Sequence, residues 1–246
     1  MDGADPRKGR GDLQAVVLAG GLATRMLPRT EQVPKLLLPV AGRPFAAWLL
    51  ERIVASGYGR VLLCVGHLGD MIRRAVGDGS AFGLAVTYAD EGDARLGTAG
   101  ALRRALGELD PTFLVTYGDS YLPFDYKAPL VDLAAHPGSL GTLAVYRNED
   151  RFDASNCEVR GDQVVRYEKR RAGDPRAPGV DHVDYGAIAL RREVIAALPA
   201  GVVLGLDAVQ RQLAAAGQLR ALQAQDRFFE IGSEAGLADL ERELGR

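Results

Sequence analysis

The chain is poor in the residues from which many sites are built. It has two cysteines, three histidines and one tryptophan in 246 residues. Cys64 and Cys157 have no metal-ligand spacing and cannot form a disulfide scaffold, which fits a reducing compartment. Cys64 sits in the apolar run Val61-Leu62-Leu63-Cys64-Val65 and reads as a small core residue. His67, His136 and His182 form no ligand set and read as incidental, and Trp48 reads as core. No apolar run is long enough to span a bilayer, and MDGADPRKGRGD lacks the apolar centre of a secretory signal. A formal net charge of −2 argues against a general nucleic-acid or membrane surface. No low-complexity linker and no internal repeat interrupts the chain. The expectation is a soluble cytoplasmic protein with no nucleic-acid or membrane partner and a mobile tail over residues 1–12. The sequence leaves open whether it is a monomer or a homo-oligomer.

A hydrophobic content of 47% and a charged content of 25% are ordinary for a globular protein, and the length suits one large α/β domain. The most informative stretch is LAGGLATRMLPRTEQVPKLLLP, Leu18 to Pro39, which follows the apolar run Gln14–Leu18. A turn of small residues lets backbone N–H groups approach anionic oxygens, and Arg25 and Lys35 supply positive charge. That layout suits a chain of phosphates. It is not a P-loop, because no Gly-Lys-Ser/Thr follows the glycines, and it is not the G-x-G-x-x-G dinucleotide fingerprint.

Downstream, Phe45–Ser56 reads as a helix ending at Gly57, Val61–Val65 as a strand, Asp70–Val76 as a helix and Leu84–Ala89 as a strand. Ala99–Leu109 reads as a helix opened by Gly97-Thr98, with Thr98 as its cap, and Thr112–Tyr117 as a fourth strand. This alternation predicts a mostly parallel sheet with helices on both faces. In the second half, Thr142–Arg147, Asn156–Arg160, Gln163–Glu168 and Val183–Leu190 read as strands, with a tight turn at Gly161-Asp162. Arg170–Val180 reads as a loop, and Leu206–Ala216 and Glu234–Leu244 as helices.

Gly20-Gly21-Leu22-Ala23-Thr24-Arg25, Pro28, Thr30 and Pro34-Lys35 resemble the signature of the sugar-1-phosphate nucleotidylyltransferases, the NDP-sugar pyrophosphorylases. The resemblance covers nearly the whole chain. Leu38-Pro39-Val40-Ala41-Gly42-Arg43-Pro44 continues the first motif. Gly97-Thr98-Ala99-Gly100-Ala101 resembles the family's nucleobase-facing loop, and Gly118-Asp119 its metal aspartate after a strand. Glu168-Lys169 resembles the sugar-contacting pair and Asp184-Tyr185-Gly186 the second sugar-facing strand. Phe228-Phe229-Glu230-Ile231-Gly232 resembles the motif of a second metal carboxylate. The length and the GDSY and EIGS motifs are similar to short bacterial enzymes acting on mannose- or heptose-1-phosphate, often with GTP.

The resemblance implies a Rossmann-like α/β fold in a single domain, a mostly parallel mixed sheet flanked by helices. Residues 13–125 would form a nucleotide-binding half and residues 126–246 a sugar-phosphate-binding half. It implies an NTP and a sugar 1-phosphate as substrates, and Mg²⁺, or another divalent cation, on Asp119 and Glu230. Arg25 would grip the β- and γ-phosphates, and Lys35 would lie near the α-phosphate and the attacking sugar phosphate. Leu18, Ala19, Gly20, Gly21, Ala23, Thr24, Gly97, Thr98 and Gly118 would face the nucleotide. Glu168, Lys169, Asp184 and Gly186 would face the sugar phosphate.

Glu91 can accept from both N1–H and N2–H₂ of guanine, which points to GTP, or it is a solvated loop charge. Two positions depart from the family pattern: Ala23 stands where Gly is usual, and Glu230 where Asp is usual. UTP or dTTP with a hexose or cyclitol phosphate is the alternative within the family. A catalytically silent nucleotide-sugar sensor is the alternative outside it. A dinucleotide-dependent oxidoreductase would need an acidic residue after the second strand, which instead ends in Val65-Gly66-His67.

Overall fold

A computed structural model describes residues 13–21, 24–92, 95–170 and 173–245. The first twelve residues, Leu22, Ala23 and part of the 170–180 segment lie outside the described residues. Strands are β1 (Gln14–Leu18), β2 (Pro39–Val40), β3 (Arg43–Pro44), β4 (Arg60–Val65), β5 (Ala85–Asp90), β6 (Thr112–Tyr117), β7 (Ser120–Tyr121), β8 (Gly141–Arg147), β9 (Cys157–Arg160), β10 (Gln163–Tyr167), β11 (Val180–Arg191), β12 (Leu219–Gln223) and β13 (Phe229–Glu230). Helices are α1 (Phe45–Ala55), α2 (Gly69–Val76), α3 (Gly97–Arg104), α4 (Ala128–Ala135), α5 (Arg192–Ala196), α6 (Leu206–Ala215) and α7 (Glu234–Leu244). None of the described helices is long and apolar enough to cross a membrane.

The chain forms two compact units that interleave along the sequence, so neither unit is one of the halves 13–125 and 126–246. The first takes the N-terminal part through Arg95, Thr116–Tyr121 and Phe229–Arg246. Its strands β1, β4 and β5 are parallel, with Leu18 opposite Cys64 and Cys64 opposite Ala89. All of β1 is buried, and so is β4 after Arg60, as expected of parallel strands covered on both faces. Helix α1 buries Phe45, Leu49, Leu50 and Ile53 at helical spacing and stops before Gly57, whose φ of +85° no β-carbon tolerates easily. Trp48 departs from its core assignment. It is part-buried, donates Nε1–H to the Val40 carbonyl at 3.0 Å and lies 4.6 Å beneath the Arg43 guanidinium.

The second unit holds Leu96–Val115 and Leu122–Phe228. It is the mixed part: β11 runs antiparallel to β8 and β9, while β12 runs parallel to β8. The expected hairpin is present, with β9 and β10 joined at Gly161, φ +60°. Helix α4 and strand β12 have no counterpart in the sequence reading. Pro129 opens α4, where its missing N–H costs nothing. Arg220 disguises β12, because it is buried only by pairing with Asp132 at 2.8 Å and Asp162 at 2.9 Å.

Cys64 and Cys157 are fully buried, as the core reading of Cys64 requires. Burial pushes the Cys64 thiol up to about 12, with the Glu91 charge adding to it, and burial also raises Cys157 well above its usual value. Both thiols should therefore be inert to a thiol-specific disulfide reagent at pH 8 in the folded protein and react fully in denaturant. Fast labelling of the native protein would contradict this placement.

Candidate active site

The first unit collects most of the residues expected around the phosphates at the carboxyl ends of its parallel strands, where open α/β sheets bind ligands. Ala19 N–H donates to the Cys64 carbonyl at 2.8 Å, and Gly118 N–H to the Leu18 carbonyl at 2.9 Å. The backbones here pack closely and leave little room for side chains at Gly66 and Gly118. A β-carbon on Gly66 would meet the Gly20 carbonyl oxygen at 3.1 Å, and one on Gly118 would meet the Ala19 β-carbon at 3.1 Å. A β-carbon on Gly20 would lie 2.3 Å from Glu91 Oε1. Gly20 thus packs close to the Gly66 backbone, with the end of the Glu91 side chain beside it. Gly21 is exposed, with nothing within 4 Å of where its β-carbon would be. Thr24 and Arg25 lie in the short 3₁₀ turn Thr24–Met26. Gly66 was not among the expected site residues, although an apolar run ending in glycine was the available signal.

Lys35 begins the 3₁₀ turn Lys35–Leu37, with Pro34 extended before it at ψ 147°. Its ammonium donates to Asp119 Oδ2 at 2.8 Å, across 84 residues of sequence. The two side chains keep 17% and 29% of their exposure, so the pair remains within reach of a ligand. Asp119 occupies the turn between β6 and β7, and its carbonyl accepts from Ile231 N–H at 2.9 Å. Strand β13 pairs with β7 so that Glu230 stands opposite Ser120, the residue after Asp119. Helix α7 follows β13, capped by Ser233, whose Oγ accepts from Gly236 N–H at 3.1 Å. Ser233→Ala should cost about 1 kcal/mol, read as a lower urea midpoint at unchanged slope.

Asp119 and Glu230 offer only oxygen, the donor set of a hard cation. Among the described residues no group of three or more histidine, cysteine, aspartate or glutamate side chains could hold a metal. A cation such as Mg²⁺ takes one or two carboxylates and completes its shell with phosphate oxygens and water. A cleft of about 400 Å³ opens beside Gly66, lined by Leu68, Asp70, Met71, Arg74 and Asp90.

In the second unit the Gly97–Gly100 segment differs from expectation. Helix α3 starts at Gly97, and Thr98 does not cap it. The Leu204 carbonyl accepts from Ala99 N–H at 2.9 Å and Gly100 N–H at 3.1 Å, and Thr98 Oγ1 accepts from Leu206 N–H at 2.6 Å. A β-carbon on Gly97 would lie 2.6 Å from the Leu204 carbonyl oxygen. These small residues are therefore required by the 202–206 segment, whatever else they face.

Glu168 follows β10 and lies 3.8 Å from the Arg166 guanidinium. Lys169 is 71% exposed and reaches Asp207 at 3.4 Å. Asp184 departs from the expected ligand role in one respect: its carboxylate is already held by protein donors. Oδ1 accepts from Gly186 N–H at 2.9 Å, and Oδ2 accepts from Tyr167 Oη–H at 3.0 Å and from the Gln210 amide at 2.7 Å. Desolvation pushes the Asp184 carboxyl above the usual range, and those three donors pull against it. Gly186 adopts φ +99°, open to glycine and strained for other residues.

The nucleotidyl transferase family profile matches residues 14–153. The N-acetylmuramate alpha-1-phosphate uridylyltransferase of Neisseria meningitidis serogroup B is 31% identical over 202 residues, 81% of this chain and 84% of that one. The chain belongs to the sugar-1-phosphate nucleotidylyltransferase family. This bears out the resemblance read from its motifs and its assignment as an enzyme, and it leaves the oxidoreductase reading without support. A second nucleotidylyltransferase relative, the mannose-1-phosphate guanylyltransferase of Mycobacterium tuberculosis, is 34% identical over 192 residues, 77% of this chain. This chain spans only 52% of that longer relative. Among solved structures, HddC from Yersinia pseudotuberculosis matches with a TM-score of 0.76 at 20% identity, covering 94% of this chain and 99% of that one. That likeness bears out the expected α/β fold, with a mixed sheet flanked by helices.

Proposed function

We propose that this protein transfers a nucleotidyl group from an NTP to a sugar 1-phosphate and releases pyrophosphate, with GTP and a mannose- or heptose-type 1-phosphate as its substrates. The observation that carries the reading is the Lys35–Asp119 pair, 2.8 Å apart, with Gly118, the residue before Asp119, packed against the backbone at Leu18 and Ala19. A sugar-phosphate oxygen must attack the α-phosphorus of a polyanion, so charge has to be neutralised before the two anions meet. Chemistry of this kind depends chiefly on positioning and charge stabilisation.

In this reading Lys35 supplies a point charge to the α-phosphate and the incoming sugar phosphate, and Asp119 holds the ammonium on one trajectory. Arg25 neutralises the leaving pyrophosphate with its planar fork. Leu18, Ala19, Gly20, Gly21, Ala23, Thr24 and Gly118 would contact the nucleotide, as would Gly97 and Thr98. Asp119 and Glu230 would hold Mg²⁺, which when bound neutralises phosphate charge and orients the triphosphate. The longer side chain of Glu230, relative to aspartate, asks for a set-back of its strand or a bridging water. No general base is required, because the sugar phosphate is already ionised. Glu168 accepts from sugar hydroxyls, Lys169 meets the phosphate, and Gly186 leaves room for the ring.

Support for guanine is the position of Glu91, whose Oε1 stands over Gly20 at the strand ends. A carboxylate there accepts two N–H groups of guanine and has nothing to offer a uracil carbonyl. Within the second reading, UTP or dTTP with a hexose or cyclitol phosphate, the uridylyltransferase name of the meningococcal relative favours UTP. Glu91→Gln separates the two readings. In the guanine reading it raises the KM for GTP at least ~10-fold, about 1.4 kcal/mol, and leaves the KM for UTP unchanged. A wild type that prefers UTP, with a variant that behaves identically, overturns the guanine assignment.

A further inference from the structure

Asp184 sits on β11 where the pairing with β8 loses register, between Asp184 and Ile188. Its own N–H donates to Asn156 Oδ1 at 2.8 Å, and the Asn156 carbonyl accepts from Glu168 N–H at 2.8 Å. Its carboxylate closes on Gly186 through Oδ1, and on Tyr167 and Gln210 through Oδ2. Tyr167 is the residue before Glu168. Gln210 is 1% exposed, one turn beyond Asp207, which meets Lys169. The cluster therefore ties together the irregular part of β11, the end of β10 and the first turns of α6.

We propose that Gln210 and Tyr167 are positioning residues for the sugar 1-phosphate: through Asp184 they fix Gly186 and the strand end from which Glu168 and Lys169 emerge. The inference rests on the proposed function and gives Asp184 the role of a strut. Gln210 adds a distinguishing detail. Its Oε1 is buried with no donor among the described residues, while its amide nitrogen serves Asp184. If Asp184 becomes asparagine, the Gln210 amide can turn over, so that the idle oxygen accepts from the new Nδ2. The Tyr167 hydroxyl can accept as readily as it donates. The cluster can thus absorb that change, whereas methionine at 210 removes the donor outright at similar volume.

The test is steady-state kinetics of the full chain, scored by pyrophosphate release, with the KM for each substrate, kcat and the melting temperature measured for each variant. Gln210→Met should raise the KM for the sugar 1-phosphate about tenfold and leave the KM for the NTP within twofold. Tyr167→Phe should move the same constant in the same direction, and Asp184→Asn should raise it by less than Gln210→Met. Sugar KM values within twofold of wild type for both Gln210→Met and Tyr167→Phe would overturn the proposal. So would equal rises in both KM values that track a lower melting temperature, or an Asp184→Asn effect larger than that of Gln210→Met. Should Gln210→Met fail to fold, Tyr167→Phe decides, since it removes one hydroxyl and keeps the ring. A wild type that releases no pyrophosphate with any pair defeats the functional reading instead, and the sugar role of the cluster with it.

Discussion

Asp119→Asn should lower kcat at least ~100-fold, about 2.7 kcal/mol of transition-state stabilisation, at saturating NTP, sugar phosphate and Mg²⁺. The substitution keeps the shape of the side chain and removes its charge. On the proposed mechanism two things would be lost together: an anionic oxygen for the cation, and the partner that holds the Lys35 ammonium at 2.8 Å. Stability should hardly change, because the pair is part-exposed and such pairs contribute on the order of 1 kcal/mol or less. An unaltered melting temperature with a collapsed kcat is the expected signature. A kcat within threefold of wild type would remove Asp119 from the reaction.

Lys35→Met should be at least as damaging, with kcat down ~100- to 1,000-fold. Methionine matches the length of the stem but leaves the meeting of two polyanions without its local cation, and leaves Asp119 unpaired. Because Lys35 and Asp119 act as a unit, their effects should not add. The double variant should be no more than about tenfold slower than the worse single variant. Full multiplication of the two losses would show that each residue acts alone and that their contact is incidental. Both experiments report on kcat rather than on binding, since neutralising charge where the sugar phosphate meets the α-phosphate matters most after the substrates are bound.

Much of this was legible in the residues. The buried run Gln14–Leu18 and the small residues after it gave the strand-to-turn layout, and the structure has β1 at those positions. Thr112–Tyr117 and Glu234–Leu244 occur with the boundaries expected from their apolar periodicity. What could not be read was anything fixed by distant partners. Gly20 looked like an approach to phosphate, and only the three-dimensional arrangement puts Glu91 and Gly66 against it. Thr98 looked like a helix cap because local spacing allows it, but Leu206 N–H takes its oxygen from 108 residues away. Arg220 hid a strand, since a lone arginine reads as solvated until Asp132 and Asp162 neutralise it. Asp184 read as a ligand because a carboxylate at that motif invites it, and the protein donors that occupy it come from β10 and α6.

In the proposed function, the Lys35–Asp119 site serves transfer of a nucleotidyl group to a sugar 1-phosphate. It is tested most directly by pyrophosphate release from a matrix of GTP, UTP, dTTP and ATP against mannose-, heptose-, glucose- and N-acetylmuramate-type 1-phosphates, with Mg²⁺. Rapid release is expected with at least one pair, fastest for GTP with a mannose- or heptose-type phosphate, and none without the sugar phosphate. Tight nucleotide-sugar binding without pyrophosphate release from any pair would contradict it.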